Sequence, residues 1–210
     1  MPQRDHQANT QASRQTRLWL ATCLLAALAL PAAAAPQRLS PPEEKAPAQS
    51  PAALLDDLYR RLAASTDREE AQGIAGAIDR ALLRSGSDTA DLLMSRALTA
   101  LSGEDRKLAL ELLDKVVAIE PDWAEGWNKR ATVRFLEADD AGSMSDISHV
   151  LKLEPRHFGA LSGMGFILQR NGLDKRALQA FRRTLEVYPA LENVKKLVEK
   201  LEPEVEGRGL

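Results

Sequence analysis

Side chains that carry chemistry are scarce here: of 210 residues one is cysteine, three are histidine, and aromatic residues make up 4%. The lone Cys23 excludes an internal disulfide framework and any cysteine-built zinc site. His6, His149 and His157 have no neighbouring cysteines or recognisable ligand set of carboxylates, so no metal centre is expected. Glycine-rich phosphate loops, a nucleophile elbow and a Cys-His pairing are also missing. The serines of Gly142-Ser143-Met144-Ser145 have no base at motif spacing, and the acidic pairs Asp139-Asp140 and Glu69-Glu70 suit helix starts better than acid-base work. Neither an enzyme nor a cofactor protein is expected. Basic charge is also lacking: the net charge is -2, and Lys and Arg are scattered among acids, which leaves no footprint for nucleic acid.

What is abundant favours helix. Hydrophobic residues make up 44% and charged residues 28%, with many alanines and arginines, side chains that lose little freedom in a helix. The chain opens on a polar stretch in which Arg14 and Arg17 precede an apolar run from Leu18 to Leu30, followed by small residues that include Ala32 and Ala34. This reads as a secretory signal peptide over 1-34, cleaved near Ala34 and directing the product to the periplasm or otherwise out of the cytoplasm. The run is shorter than the ~20 residues of a spanning helix, so a membrane is involved only if the segment stays uncleaved as an anchor. Cleavage would also remove Cys23. A Pro-rich linker follows over 35-53, with five prolines and Leu39 as its one large apolar residue.

The rest is organised by a period. Pro121, Pro155 and Pro189 are 34 residues apart. At the same step Ala63, Ala97, Ala131 and Gly165 are small, as are Ala75, Ala109, Ser143 and Ala177. Leu83, Val117, Leu151 and Leu185 are apolar throughout, and of Asp79, Leu113, Ile147 and Phe181 only the first departs. Units run over 56-89, 90-123, 124-157 and 158-191. Apolar spacing such as that of 107-119, with turn residues at Ser102-Gly103, Asp139-Asp140 and Asn171-Gly172, makes each a helical hairpin. Small residues let the two helices approach where they cross. Each proline stops a second helix, after which Asp122 and Glu125 have the spacing of a capping box. In the first unit Ser65-Thr66-Asp67 interrupts the first helix and Ser87 replaces proline. Val194, Leu197, Val198 and Leu201 form a stripe that predicts a capping helix over 193-202, with 203-210 as a disordered tail.

These residues resemble the tetratricopeptide repeat (TPR) family. Trp127 stands at its tryptophan position, Met164-Gly165 at its Leu-Gly pair, Ala177 and Phe181 at its Ala and Phe, and the three prolines at its proline. The resemblance spans 56-191 and is specific in the last three units. It implies an all-α, right-handed α-solenoid of about four hairpins plus a C-terminal capping helix, within a repeat domain over 54-202. It places the first helix of each unit on a concave groove. The positions implied include Asp91, Met94, Leu98, Leu101, Asn128, Thr132, Phe135, Leu136, Ser162, Phe166, Gln169 and Arg170. Of these, Met94, Asn128, Thr132, Phe135, Phe166, Gln169 and Arg170 are the candidate partner-binding residues.

Only Asn128 and Arg170 could serve a carboxylate clamp of the kind some family members use on a peptide terminus; Met94, Phe135 and Phe166 suit an apolar stripe. The expectation is an exported scaffold that binds a protein or peptide in the bacterial cell envelope without catalysis. The alternatives are an envelope-assembly accessory tethered by an uncleaved anchor, and a carrier or enzyme with an unrecognised site. Trp127 is read as core, and Arg182-Arg183 as a solvated face. Oligomeric state has no residue signature.

Overall fold

The computed structural model describes residues 50–207; the predicted signal segment, the linker as far as residue 49 and residues 208–210 lie outside the described residues. Among the described residues there are nine helices and no strand. They are α1 (Pro51–Ala64), α2 (Arg68–Leu82), α3 (Asp88–Ser102), α4 (Arg106–Ile119), α5 (Ala124–Leu136), α6 (Asp140–Leu153), α7 (Phe158–Arg170), α8 (Asp174–Val187) and α9 (Glu192–Glu206). The expected architecture of four hairpins and a closing helix is present.

From α3 onward the period is visible in the backbone itself. Glu104, Ala138 and Gly172 all take positive φ, 61°, 60° and 71°, at the turn inside each hairpin. The next amide reaches back five residues in each case: Asp105 to Ala100, Asp139 to Arg134 and Leu173 to Leu168, all at 2.9 Å. This left-handed stop closes the orphan carbonyls of a helix end. The second helices stop alike, with the amides of Glu120, Glu154 and Tyr188 donating to Val116, Val150 and Thr184 just before each proline.

The small residues sit at the crossings. Ala97, Ala109, Ala131, Ser143, Gly165 and Ala177 are all buried. Ser143 meets the polar cost of burial by donating its hydroxyl to the Ala131 carbonyl at 2.8 Å. A Cβ on Gly165 would press on the Phe181 ring, 2.6 Å from Cδ1 and 2.9 Å from Cζ, so the backbone there approaches an aromatic face that no side chain could share.

A further periodic position shows how the hairpins stack. Val133 packs into the α3/α4 cluster, Ile167 into the α5/α6 cluster and Leu201 into the α7/α8 cluster, each buried against the preceding hairpin. The equivalent residue of α3 is Thr99, which is exposed. The serial stack therefore begins at α3, and α9 is by position the first helix of a further unit.

The first hairpin departs from its expected bounds. It turns at Ser65-Thr66-Asp67, where Asp67 caps α2 by accepting the Glu70 amide at 2.8 Å and Ser65 donates to the Glu70 carboxylate at 2.7 Å. Its helices thus cover 51–82 rather than 56–89, and Ala63 is exposed instead of lying at a crossing. Helix α1 begins at Pro51, inside the predicted linker, because proline fits the first helical position and Ser50 caps it. Its apolar face, with Leu58, Tyr59 and Leu62, joins Ile74 and Ile78 of α2 in a cluster with Tyr188 and Ala190 of the α8-α9 turn.

The closing helix is longer than predicted. It runs through Pro203 to Glu206, because Arg182 bridges Glu202 and Glu206 and Val205 packs on the last core cluster. No described helix is long and apolar enough to cross a membrane.

Candidate functional site: the face of the first helices

The candidate residues lie on α3, α5 and α7. On α5 and α7 two of them meet: the Arg170 guanidinium stacks 4.0 Å from the centre of the Phe135 ring. It is held there by the Asp140 carboxylate, to which Nε donates at 3.1 Å, and by the Phe135 carbonyl, to which Nη1 donates at 3.3 Å. Asn171 donates to the same carboxylate at 2.7 Å. The arginine is therefore a fixed, charge-balanced platform and not a free cation. A planar guanidinium suits this role because it can stack and bond at once.

Asn128 is also engaged, its amide donating to Glu125 at 3.1 Å. Both residues that could have clamped a carboxylate have internal partners. Thr132 is exposed, and its hydroxyl donates to the Asn128 carbonyl at 2.9 Å. Phe166 is half-buried and stands edge-on to Phe181, ring centres 5.3 Å apart; Gln169 beside it is half-buried. Met94 is the outlier: it is 2% exposed, inside the α3/α4 core, because α3 has small residues on either side and the methionine fills the space between them. It forms the floor of a surface cavity of about 440 Å³, with Leu83, Asp91, Leu98, Thr99 and Ser102 around it. The structure thus joins Phe135 to Arg170, sets Phe166 and Gln169 on the neighbouring helix, and leaves Met94 in a separate hollow at the start of the stack.

Two polar clusters escaped the sequence reading. The capping box expected of Asp122 and Glu125 does not form, since α5 has Trp123 at its N-cap with no side-chain bond; Glu125 is instead 3% exposed and takes a hydrogen bond from His157 Nε2 at 2.9 Å and an ion pair from Lys129 at 2.7 Å. Nδ1 of His157 accepts the Ala160 amide at 3.1 Å, so the ring caps α7 while its proton, on Nε2, serves Glu125. Burial pushes the Glu125 carboxyl up, but the His157 bond and the Lys129 charge outweigh it and hold it below the ordinary range. In the second cluster Asp146, 1% exposed, accepts from Arg130 at 2.8 Å and pairs with Arg134 at 3.0 Å. Arg130 also lies over the Trp127 ring, which stacks on His149 with ring centres 4.3 Å apart. Trp127 is half-buried, with its Nε1 donating to the Pro121 carbonyl. These clusters join residues 16 and 32 apart in sequence and follow no motif spacing. Both bind helices to one another. Among the described residues no three His, Cys, Asp or Glu side chains converge as metal ligands.

Comparison with known proteins bears on the fold and the family. No protein-family model matches the chain. A TPR repeat-containing protein of Rhizobium etli is 44% identical over 163 residues, 76% of this chain and 80% of the relative. Among solved structures, the Arabidopsis OM64 TPR domain superposes with a TM-score of 0.54 at 14% identity, covering 56% of this chain and 98% of that one. The first TPR of Spaghetti (RPAP3), solved with an HSP90 peptide, gives 0.54 at 18% identity over 57% and 94%. The structural likeness shows the fold alone. With the 34-residue period, the repeated turns and the Rhizobium relative, the chain belongs to the TPR repeat-containing proteins.

Proposed function

We propose that this protein is an exported scaffold of the bacterial cell envelope that holds a peptide or a partner's helix against the face of α3, α5 and α7, without catalysis of its own. The observation that carries the reading is the Phe135-Arg170 platform, pre-set by Asp140 and flanked by exposed Thr132 and Leu136. Rigid aromatic and arginine surfaces are the usual anchors of protein recognition because little side-chain freedom is lost on binding. Because Asn128 and Arg170 are internally bonded, the ligand is one that lays an apolar stripe on the face, not one gripped by a terminal carboxylate. The solved TPR neighbour that carries an HSP90 peptide supports a peptide as the kind of ligand. Export rests on the Leu18-Leu30 run and the small residues up to Ala34, which lie outside the described residues.

The test compares the chain from residue 35 with a Phe135→Ala, Phe166→Ala, Arg170→Ala variant in capture from a cell-envelope extract. Circular dichroism verifies that the variant keeps its helices. A protein retained by the parent and lost by the folded variant is the expected result. Equal retention by both, or retention of nothing, overturns the reading.

A further inference from the structure

The hollow floored by Met94 takes no part in the Phe135-Arg170 platform and has an origin of its own. Where α5, α7 and α9 bury Val133, Ile167 and Leu201 against the hairpin before them, α3 has exposed Thr99. The first hairpin packs instead on Tyr188 and Ala190 of the α8-α9 turn, so the place a preceding hairpin would fill stands open. The cavity left there is about 440 Å³. That is low in the range of small-ligand sites, roughly 300–1,000 Å³, and suits a side chain better than a helix.

Its walls are held in place. Leu83, at the head of the link from α2 to α3, and Leu98 line it with apolar surface beside Met94. The link bends at Gly86, where φ is 85°, and is tied down on α3 by Asp91. Ser85 donates both its amide, at 2.9 Å, and its hydroxyl, at 2.6 Å, to Asp91 Oδ1, and the Ser87 amide donates to Ser85 Oγ at 3.0 Å. A pocket whose walls are already bonded loses little freedom when it is filled.

The polar groups around this apolar space mostly accept. Thr99 has spent its hydroxyl proton on the Ser95 carbonyl at 3.0 Å, and Ser102 has spent its own on the Leu98 carbonyl at 3.0 Å, so both offer the space lone pairs. The hydroxyl of Ser95 can turn to either role. The two Ser85 bonds hold the Asp91 carboxyl below its ordinary range, and both use Oδ1, which leaves Oδ2 as an acceptor on a charged group. Among the described residues Arg84 adds its field to Asp91 without making an ion pair with it. A fitting ligand therefore brings an apolar stem for Met94, Leu83 and Leu98, and a positive charge with donors at its tip. The flexible thioether of a methionine adapts readily to an alkyl stem.

We propose that this hollow is a side-chain pocket for one lysine of the peptide or partner helix held on the α3, α5 and α7 face, the stem lying on Met94, Leu83 and Leu98 and the ammonium donating to Asp91. It rests on the scaffold reading for the source of that lysine. It also fixes the ligand's register, with a basic residue at the α3 end and the apolar stripe towards Phe135.

The test is methyl NMR on the full chain with isotope-labelled methionine methyl groups, the Met94 signal being assigned by Met94→Leu. The probes are Nα-acetyl-lysine N-methylamide, its norleucine analogue, which has the stem without the charge, and pentylammonium, which has the charge without the backbone. The lysine probe is expected to move the Met94 methyl and to bind at least ~3-fold more tightly than the norleucine probe, about the worth of a solvent-accessible ion pair. Asp91→Asn keeps an oxygen for Ser85 and removes the charge, and should erase that preference. Thr99→Leu fills the hollow and should lose the probe. Circular dichroism checks that both variants keep their helices, as substitutions at half-buried Asp91 and exposed Thr99 should. The Phe135→Ala, Phe166→Ala, Arg170→Ala variant leaves the hollow intact and should bind the lysine probe as the parent does, so a failed face and a failed hollow are told apart. A Met94 methyl that the lysine probe does not move, equal binding of lysine and norleucine, or a preference that survives Asp91→Asn overturns the proposal. Tighter binding of pentylammonium than of the lysine probe also overturns it, since the hollow then takes a free amine and not a residue of a peptide.

Discussion

Two glycines of α7 separate close packing from helix propensity. Replacing a helical glycine with alanine gains about 1 kcal/mol from the reduced freedom of the unfolded chain. At Gly163 the new methyl would meet only Ile147 Cδ1, at 3.5 Å, an ordinary contact. Gly163→Ala should therefore stabilise the protein by about 0.5–1 kcal/mol. At Gly165 the methyl would enter the Phe181 ring, 2.6 Å from Cδ1, and that ring is fully buried. Overpacking costs about 1–3 kcal/mol, and an approach this far inside van der Waals contact belongs to the upper part of that range, about 2–3 kcal/mol, so after the propensity gain Gly165→Ala should be destabilising by roughly 1–2 kcal/mol. Urea unfolding followed by circular dichroism would show the two midpoints moving in opposite directions, with melting temperatures displaced by about 2–4 °C per kcal/mol. A Gly165→Ala protein as stable as the parent would refute the close approach of α7 and α8 at Phe181.

Ala138 occupies the left-handed position that Gly172 fills in the next unit, so Ala138→Gly should raise stability by about 1 kcal/mol, measured by the same titration. His157→Ala removes the cap of α7 and leaves Glu125 buried with one bond fewer; a loss of about 2–4 kcal/mol is expected, and a loss below about 1 kcal/mol would deny the ring its double role. Desolvation by the surrounding protein and the nearby Glu125 charge raise the carboxyl of Asp79, which keeps an exposed surface, above its ordinary 3.8. A carboxyl raised on folding lowers stability as pH climbs from its unfolded value through its folded one. Asp79→Asn should therefore raise the melting temperature at neutral pH and leave it unchanged well below 3.8, and a lower melting temperature at pH 7 would reverse the assignment.

Much of the stack was legible because its determinants are local. Pro121, Pro155 and Pro189 each stand just past the end of a second helix, which a missing donor and a fixed torsion help to stop, and the small residues at 97, 131 and 165 serve where two helices cross. Even the start of the stack leaves a trace, since stepping back from Leu201, Ile167 and Val133 arrives at polar Thr99. The candidate face was legible as positions but not as states. That Arg170 is neutralised and stacked on Phe135 depends on Asp140, 30 residues away, and that Met94 is buried depends on the filling of the α3/α4 core.

The amino-acid sequence by itself determined the helices, their turns and the order in which α3 to α9 pile up, because each of those steps is set by backbone stereochemistry and by neighbours within about one 34-residue unit. Where the first hairpin goes was decided only in the tertiary structure. Its seat depends on Asp56 finding Arg156 and on Leu82 finding Trp123, pairings between segments remote along the chain that no periodic rule relates. Such contacts need the stack to hold Arg156 and Trp123 in place, so their geometry is a property of the assembled fold and not of any segment.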